Sequence, residues 1–124
     1  MATTYPSEKP QGGLELWSWF FMRLSGLCLV FLALGHFAIM HLLHPIEGLN
    51  YDFVAGRYRY FGWRFFDLSL LLLALLHGLN GVRILIDDYV RSPRWHRRAY
   101  WALKIIGGFF MVLGTLVILT FRPV

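Results

Sequence analysis

Charge is scarce in this chain: only 15% of its 124 residues are Asp, Glu, Lys or Arg. So few charges cannot clothe a soluble domain that is 57% hydrophobic and 18% aromatic, and a mean hydropathy of +0.53 points to a membrane protein. Cysteine is nearly absent. The one thiol, Cys28, lies in an apolar run, so no internal disulfide can form and no Cys-x-x-Cys motif exists. A glycine-rich phosphate loop and a Ser/His/Asp set are also missing, which removes nucleotide binding and hydrolysis from the expected functions of the chain alone. No internal repeat or low-complexity segment is evident. No short apolar core follows a basic start, so no cleavable signal peptide is expected.

The charges that are present have a pattern. Net charge is +5 and the isoelectric point is near 9.8. The arginines cluster at the ends of apolar runs, as membrane topology requires, rather than on one face of a soluble fold, so no nucleic-acid partner is expected. The sequence therefore predicts an all-α membrane protein with three transmembrane helices over about 14–44, 64–90 and 99–121. Residues 1–13, polar and containing Pro and Gly, read as an N-terminal tail ahead of a membrane domain over 14–124. Trp17, Trp19, Phe20 and Phe21 suit the interfacial belt, and Pro45 closes the first helix. The aromatic connection 45–63 has room for a short surface helix, and 91–98, RSPRWHRR, reads as a basic turn broken at Pro93. Gly107, Gly108 and Gly114 are expected to admit a neighbouring helix closely. The second loop carries Arg91, Arg94, Arg97 and Arg98 without an acid, whereas the first mixes signs. The positive-inside rule then places the N-terminus in the cytoplasm of a prokaryotic cell and the second helix descending toward it.

Ionisable residues inside these spans are the candidates for function, because lipid tolerates them poorly. His77 stands mid-membrane beside Gly78, with Gly81 one turn along. Neutral imidazole is an axial ligand for haem iron, and a bare glycine beside it leaves space for a flat macrocycle. Zinc fits less well, since no Cys or second His is within reach on this helix. His36 is the second candidate. It lies about 12 Å below His44 on an ascending helix, while His77 lies about 20 Å down the descending one, so the two occupy different depths and suit two haems better than one. For both histidines the alternative is an interhelical hydrogen bond. His41 and His44 read as interfacial and His96 as solvated. Arg23 suits either snorkelling to the interface or an anion such as a haem propionate, with Ser25 about 200° away around the helix. Arg83 and Asp87 are spaced to pair. Asp88 and Tyr89 form either a plain polar helix end or one wall of a quinone pocket, where a tyrosine hydroxyl donates to a carbonyl and an aspartate relays a proton.

The run LHGLNGVRILIDDY, with His77, Gly81, Asp88 and Tyr89, resembles the second helix of the small hydrophobic membrane anchor, usually termed the D-type anchor, of succinate dehydrogenase (complex II). FMRLSG, with Arg23 and Ser25, is similar to the start of the first helix in such anchors, and FLALGH, ending at His36, resembles the actinobacterial type. The resemblance implies half of an anchor helix bundle. A second membrane anchor, of the C type, would complete it, and an iron–sulfur subunit and a flavoprotein would sit on it. It implies haem b, one or two, with His77 and His36 as axial ligands from this chain, Arg23 and Gly81 beside the cofactor, and Asp88, Tyr89 and Ser25 at the quinone site. The implied role is anchoring and quinone reduction in respiratory electron transfer, with no substrate chemistry of its own. Fumarate reductase, a haem-free anchor, another quinone-linked dehydrogenase and a higher oligomer of the whole complex all fit the same motifs.

Overall fold

A computed structural model describes residues 12–122. The expected tail, apart from its last two residues, lies outside the described residues. Gly12 and Gly13 lead into the first helix with φ of 135° and 67°, values that a side chain would disfavour. Helix α1 spans Gly13–Phe37 and continues through a π-helical turn, Ala38–Leu42, where the Leu43 N–H reaches back five residues to the Ala38 carbonyl at 2.9 Å. Pro45, extended at φ −65° and ψ 145°, carries the chain off the helix axis into a short 3₁₀ turn, Ile46–Gly48. Helix α2, Tyr51–Arg57, is capped by Asn50, whose side chain accepts from the Phe53 N–H at 3.0 Å. Helix α3 spans Phe61–Tyr89 and α4 spans Pro93–Thr120. All regular structure among the described residues is helical.

The stretch 91–98 is not the broken turn expected from its proline. Pro93 occupies the first position of α4. At that position its missing N–H removes no intrahelical bond and its fixed φ favours the helix. The basic residues from Arg94 onward thus form the opening turns of the span.

Three helices are long and apolar enough to cross a membrane: Gly13–Leu42, Phe61–Tyr89 and Pro93–Thr120. At 1.5 Å per residue each is over about 40 Å long, more than the hydrocarbon thickness of about 30 Å, so their ends reach the headgroups. Helix α3 is the middle member of a row. It packs against both α1 and α4, which share almost no direct packing. A Cβ added to Gly107 would lie 2.6 Å from the Leu79 methyls, and one on Gly114 would lie 2.7 Å from a Leu71 methyl. Leucines of α3 therefore seat on bare backbone of α4, as small residues allow in membranes. Gly108 differs from expectation: it faces open space, because the next residue along a helix turns about 100° away.

Arg64, at the start of α3, ties the far end of α4. Its guanidinium donates to the carbonyls of Ile118, Leu119 and Phe121, groups left without helical partners at a C-terminus. Its Nε donates to the Tyr58 carbonyl at 2.7 Å. Little else is enclosed: the buried side chains are Ser25, Ala55, Tyr58 and Ile118, while Phe31, Leu34, Ile105, Phe109 and Val112 stand exposed along the spans. Many large apolar residues of the spans face outward, toward lipid or another protein, while Ser18, Ser25, His77 and Asn80 meet in the groove between α1 and α3.

Candidate functional site

In the α1–α3 groove the ring of His77 meets Ser25. The Ser25 Oγ lies 2.9 Å from His77 Nδ1 and 3.4 Å from the Met22 carbonyl. Ser25 is 1% exposed, so its hydroxyl is committed to these two groups. The arrangement is satisfied when His77 Nδ1–H donates to Oγ and the hydroxyl hydrogen points to Met22. That tautomer leaves Nε2 with a free lone pair, and Nε2 has no hydrogen-bond partner among the described residues. A hydrogen bond on one ring nitrogen that fixes the other as a donor to metal is the usual support for a ligating histidine. Gly26 makes room for the ring: a Cβ there would lie 3.2 Å from His77 Cε1.

Gly81 faces α1, with the Met22 methyl 3.9 Å from where its Cβ would stand. Gly78, next to His77, is the glycine with open space in front of it. The sequence favours Gly81, on the face of His77, as the open gap; helix packing brings Met22 against it and leaves Gly78 clear.

One turn toward the N-terminus of α1 lies a cavity of about 790 Å³. Its walls include Ser18, Trp19, Arg23, Asn80, Asp87 and Asp88, and Met22 borders both this cavity and the Ser25 hydroxyl. The Arg23 guanidinium sits 3.7 Å above the Trp19 ring, a cation–π contact that orients a cation in an apolar setting. A chain of hydrogen bonds lines the α3 side. Asn80 Nδ2 donates to Ser18 Oγ at 3.2 Å, and Arg83 Nε donates to Asn80 Oδ1 at 2.9 Å. Arg83 also pairs with Asp87 at 3.5 Å, the spacing expected from i and i+4. Arg23 and Asp88 thus share one cavity, whereas Ser25 lies deeper, under His77, and Tyr89 is 77% exposed outside the lining.

His36 occupies a separate level. Its Nδ1 approaches Asp67 Oδ1 at 3.4 Å, and Arg57 Nη2 approaches the same oxygen at 3.6 Å. Asp67 and Arg57 are 11% and 10% exposed, and these facing atoms make no aligned hydrogen bond. The Arg57 guanidinium lies 4.4 Å from the Trp63 ring, and His36 stacks on Phe66 with centroids 6.5 Å apart. Eleven residues separate Ser25 from His36 on α1 and ten separate Asp67 from His77 on α3, so the two histidine levels stand about 15 Å apart along the groove. The Tyr58 hydroxyl is pushed up to about 12, by burial first and then by the negative charge of Asp67.

Sequence reasoning missed three groups. Asp67 was legible only as an acid near a helix start; its pairing with Arg57 depends on how the surface helix α2 folds back. Asn80 was visible as a polar residue in an apolar run without a partner. His96 is bonded rather than solvated, its Nε2 lying 2.9 Å from Asp87 Oδ1, because α4 begins early enough to carry it onto the side facing α3. His44 Nδ1 donates to the Ile39 carbonyl at 2.8 Å and packs on Phe53, and His41 packs on Phe37.

Comparison with known proteins adds two findings. The family model described as succinate dehydrogenase/fumarate reductase transmembrane subunit matches residues 7–118. The succinate dehydrogenase 2 membrane subunit SdhC of Mycobacterium tuberculosis is 32% identical over 109 residues, covering 87% of this chain and 77% of that protein.

Proposed function

The chain belongs to the succinate dehydrogenase/fumarate reductase transmembrane subunit family, and from that membership we propose that it anchors a succinate dehydrogenase in a bacterial plasma membrane and helps form its quinone-reduction site. The observation that carries this reading is the continuity of the α1–α3 groove: a histidine with a free Nε2 stands directly above a cavity lined by Arg23 and Asp88, with Met22 common to both. The D-type assignment rests on the motifs, the mycobacterial relative being named SdhC.

In this reading His77 and His36 would each hold a haem b from this chain, with the partner anchor completing each site. Bound haem would supply one-electron storage beside the quinone. Ser25 holds the His77 ring in the ligating tautomer. Gly78 keeps the flank of that ring open, and Gly81 lets Met22 approach beneath it. Arg23, steadied by Trp19, presents donors to a quinone carbonyl or to a propionate. Asp88 lies in the same cavity and Tyr89 next to it on the helix end, where the iron–sulfur and flavoprotein subunits would approach from the cytoplasm. The N-terminus shares that side, consistent with four arginines in 91–98.

The test is made on the intact complex. His77→Ala is expected to remove a haem b band from the reduced-minus-oxidised spectrum, and Arg23→Leu to depress quinone reduction. The contacts of His77 and His36 with Ser25 and Asp67 are also those of a haem-free anchor. An intact complex that reduces quinone without any haem would establish that second reading.

A further inference from the structure

Asp87 joins two openings. Its carboxylate lines the cavity between α1 and α3, and its Oδ1 lies 2.9 Å from His96 Nε2. His96 in turn lines a surface hollow of about 250 Å³ together with Arg97, Tyr100, Trp101 and Lys104. The imidazole is 36% exposed and stacks on the Tyr100 ring, with centroids 4.8 Å apart. Tyr100 donates its hydroxyl to both carboxylate oxygens, at 2.9 and 3.0 Å, and Arg83 approaches Oδ2 at 3.5 Å.

We propose that His96 and Asp87 form a proton relay that carries protons from the surface hollow to a quinone in the cavity. The proposal rests on the quinone-site reading above. A plain latch between α3 and α4 would be served by Tyr100, which already bonds both oxygens of Asp87. His96 adds a group that can both accept and donate a proton, placed between the surface hollow and a carboxylate that lines the cavity. Histidine and aspartate in direct hydrogen bond are a suitable pair for proton transfer.

In the relay, the His96 imidazolium gives its Nε2 proton to Asp87 Oδ1, leaving a neutral imidazole and a carboxylic acid. Asp87 passes that proton to a quinone oxygen as the quinone accepts one electron from the iron–sulfur protein, and returns to the carboxylate. The neutral ring then turns its bare Nε2 toward the hollow, takes a proton there from solvent, and returns to Asp87. Two such passages, with two electrons, convert quinone to quinol. The charged and titratable groups around the pair set its working range: Arg97, Tyr100 and Lys104 on α4, Arg83 and Asp88 on α3, and Glu15 and Arg23 on α1 across the cavity.

The experiment measures succinate-driven quinone reduction by the intact complex from about pH 6 to about pH 9, normalised to reduction of a soluble dye by the same preparation, with and without added imidazole. His96→Gln retains an N–H donor for Asp87 but cannot titrate. It is expected to lower the normalised rate about tenfold or more, with imidazole restoring most of it. A wild-type pH profile in His96→Gln would overturn the proposal. So would a loss that imidazole does not restore in a complex that retains all its subunits, since that is the behaviour of a latch. Arg23→Leu, assayed in parallel, separates the two ideas. If it keeps full quinone reduction, the cavity reading fails and the relay falls with it; if it loses quinone reduction while His96→Gln does not, only the relay fails.

Discussion

Replacing Ser25 with alanine removes one oxygen from a site that is otherwise closed. Ser25 is 1% exposed and its Oγ is 2.9 Å from His77 Nδ1, so neither water nor another side chain takes its place without rearrangement. Leaving a buried polar group without its partner costs about 1–3 kcal/mol. Because His77 is only half-buried, the lower part of that range applies, about 1–2 kcal/mol. At about 1.4 kcal/mol per factor of ten, the ligating tautomer loses roughly five- to thirtyfold of its advantage. Mutations of such supporting groups typically weaken metal binding about 10–100-fold, which overlaps this range. The assay is haem b retained per complex during detergent dilution, read from the reduced-minus-oxidised spectrum beside wild type and His77→Ala. Ser25→Ala is expected to release haem at milder dilution than wild type, and Ser25→Thr, which keeps a hydroxyl, to stand between them. Full wild-type retention in Ser25→Ala, alongside loss in His77→Ala, would refute the idea that this hydroxyl seats the ring.

Two further outcomes follow from geometry outside the groove. Gly114→Val would place a branched side chain where a Cβ alone comes within 2.7 Å of Leu71; the overpacking is expected to destabilise the purified complex by about 1–3 kcal/mol in thermal unfolding, whereas Gly108→Val, facing open space, is expected to fall within about 0.5 kcal/mol of wild type. The Tyr58 phenol has its pKa raised from 10.0 to about 12, so the folded state holds this proton more tightly than the unfolded chain. Its contribution to stability is complete below pH 10 and is lost as pH rises through about 12. Ultraviolet titration of wild type against Tyr58→Phe should show the difference phenolate appearing only near the upper value.

The parts of this structure that could be read from the sequence are those governed by a single helix. Apolar length marked the three spans. The i, i+7 relation of Gly107 and Gly114 marked the face that α3 leucines occupy, and the i, i+4 relation of Arg83 and Asp87 marked their pair. What was hidden depends on which helices are neighbours and at what height. Ser25, which the resemblance places at a quinone site, meets His77 only once α3 is set beside α1. Gly78 and Gly81 differ only in which one Met22 covers. Asp67 and Arg57 sit on separate elements, and His96 meets Asp87 only because Pro93 starts a helix rather than ending one.

The open row of three helices has a consequence for the life of the protein before it is assembled. With α3 in the centre and α1 and α4 scarcely touching, the groove that holds His77, His36, Asn80 and Arg23 has no lid of its own. Asn80 and the Nδ1 of His77 have partners within the groove, but the His77 Nε2 has none among the described residues, and an unpartnered polar group facing lipid is costly. A newly made copy without its companions therefore carries a visible mark of being alone. A surface that covers the groove is thus favoured on polar grounds as well as by apolar contact.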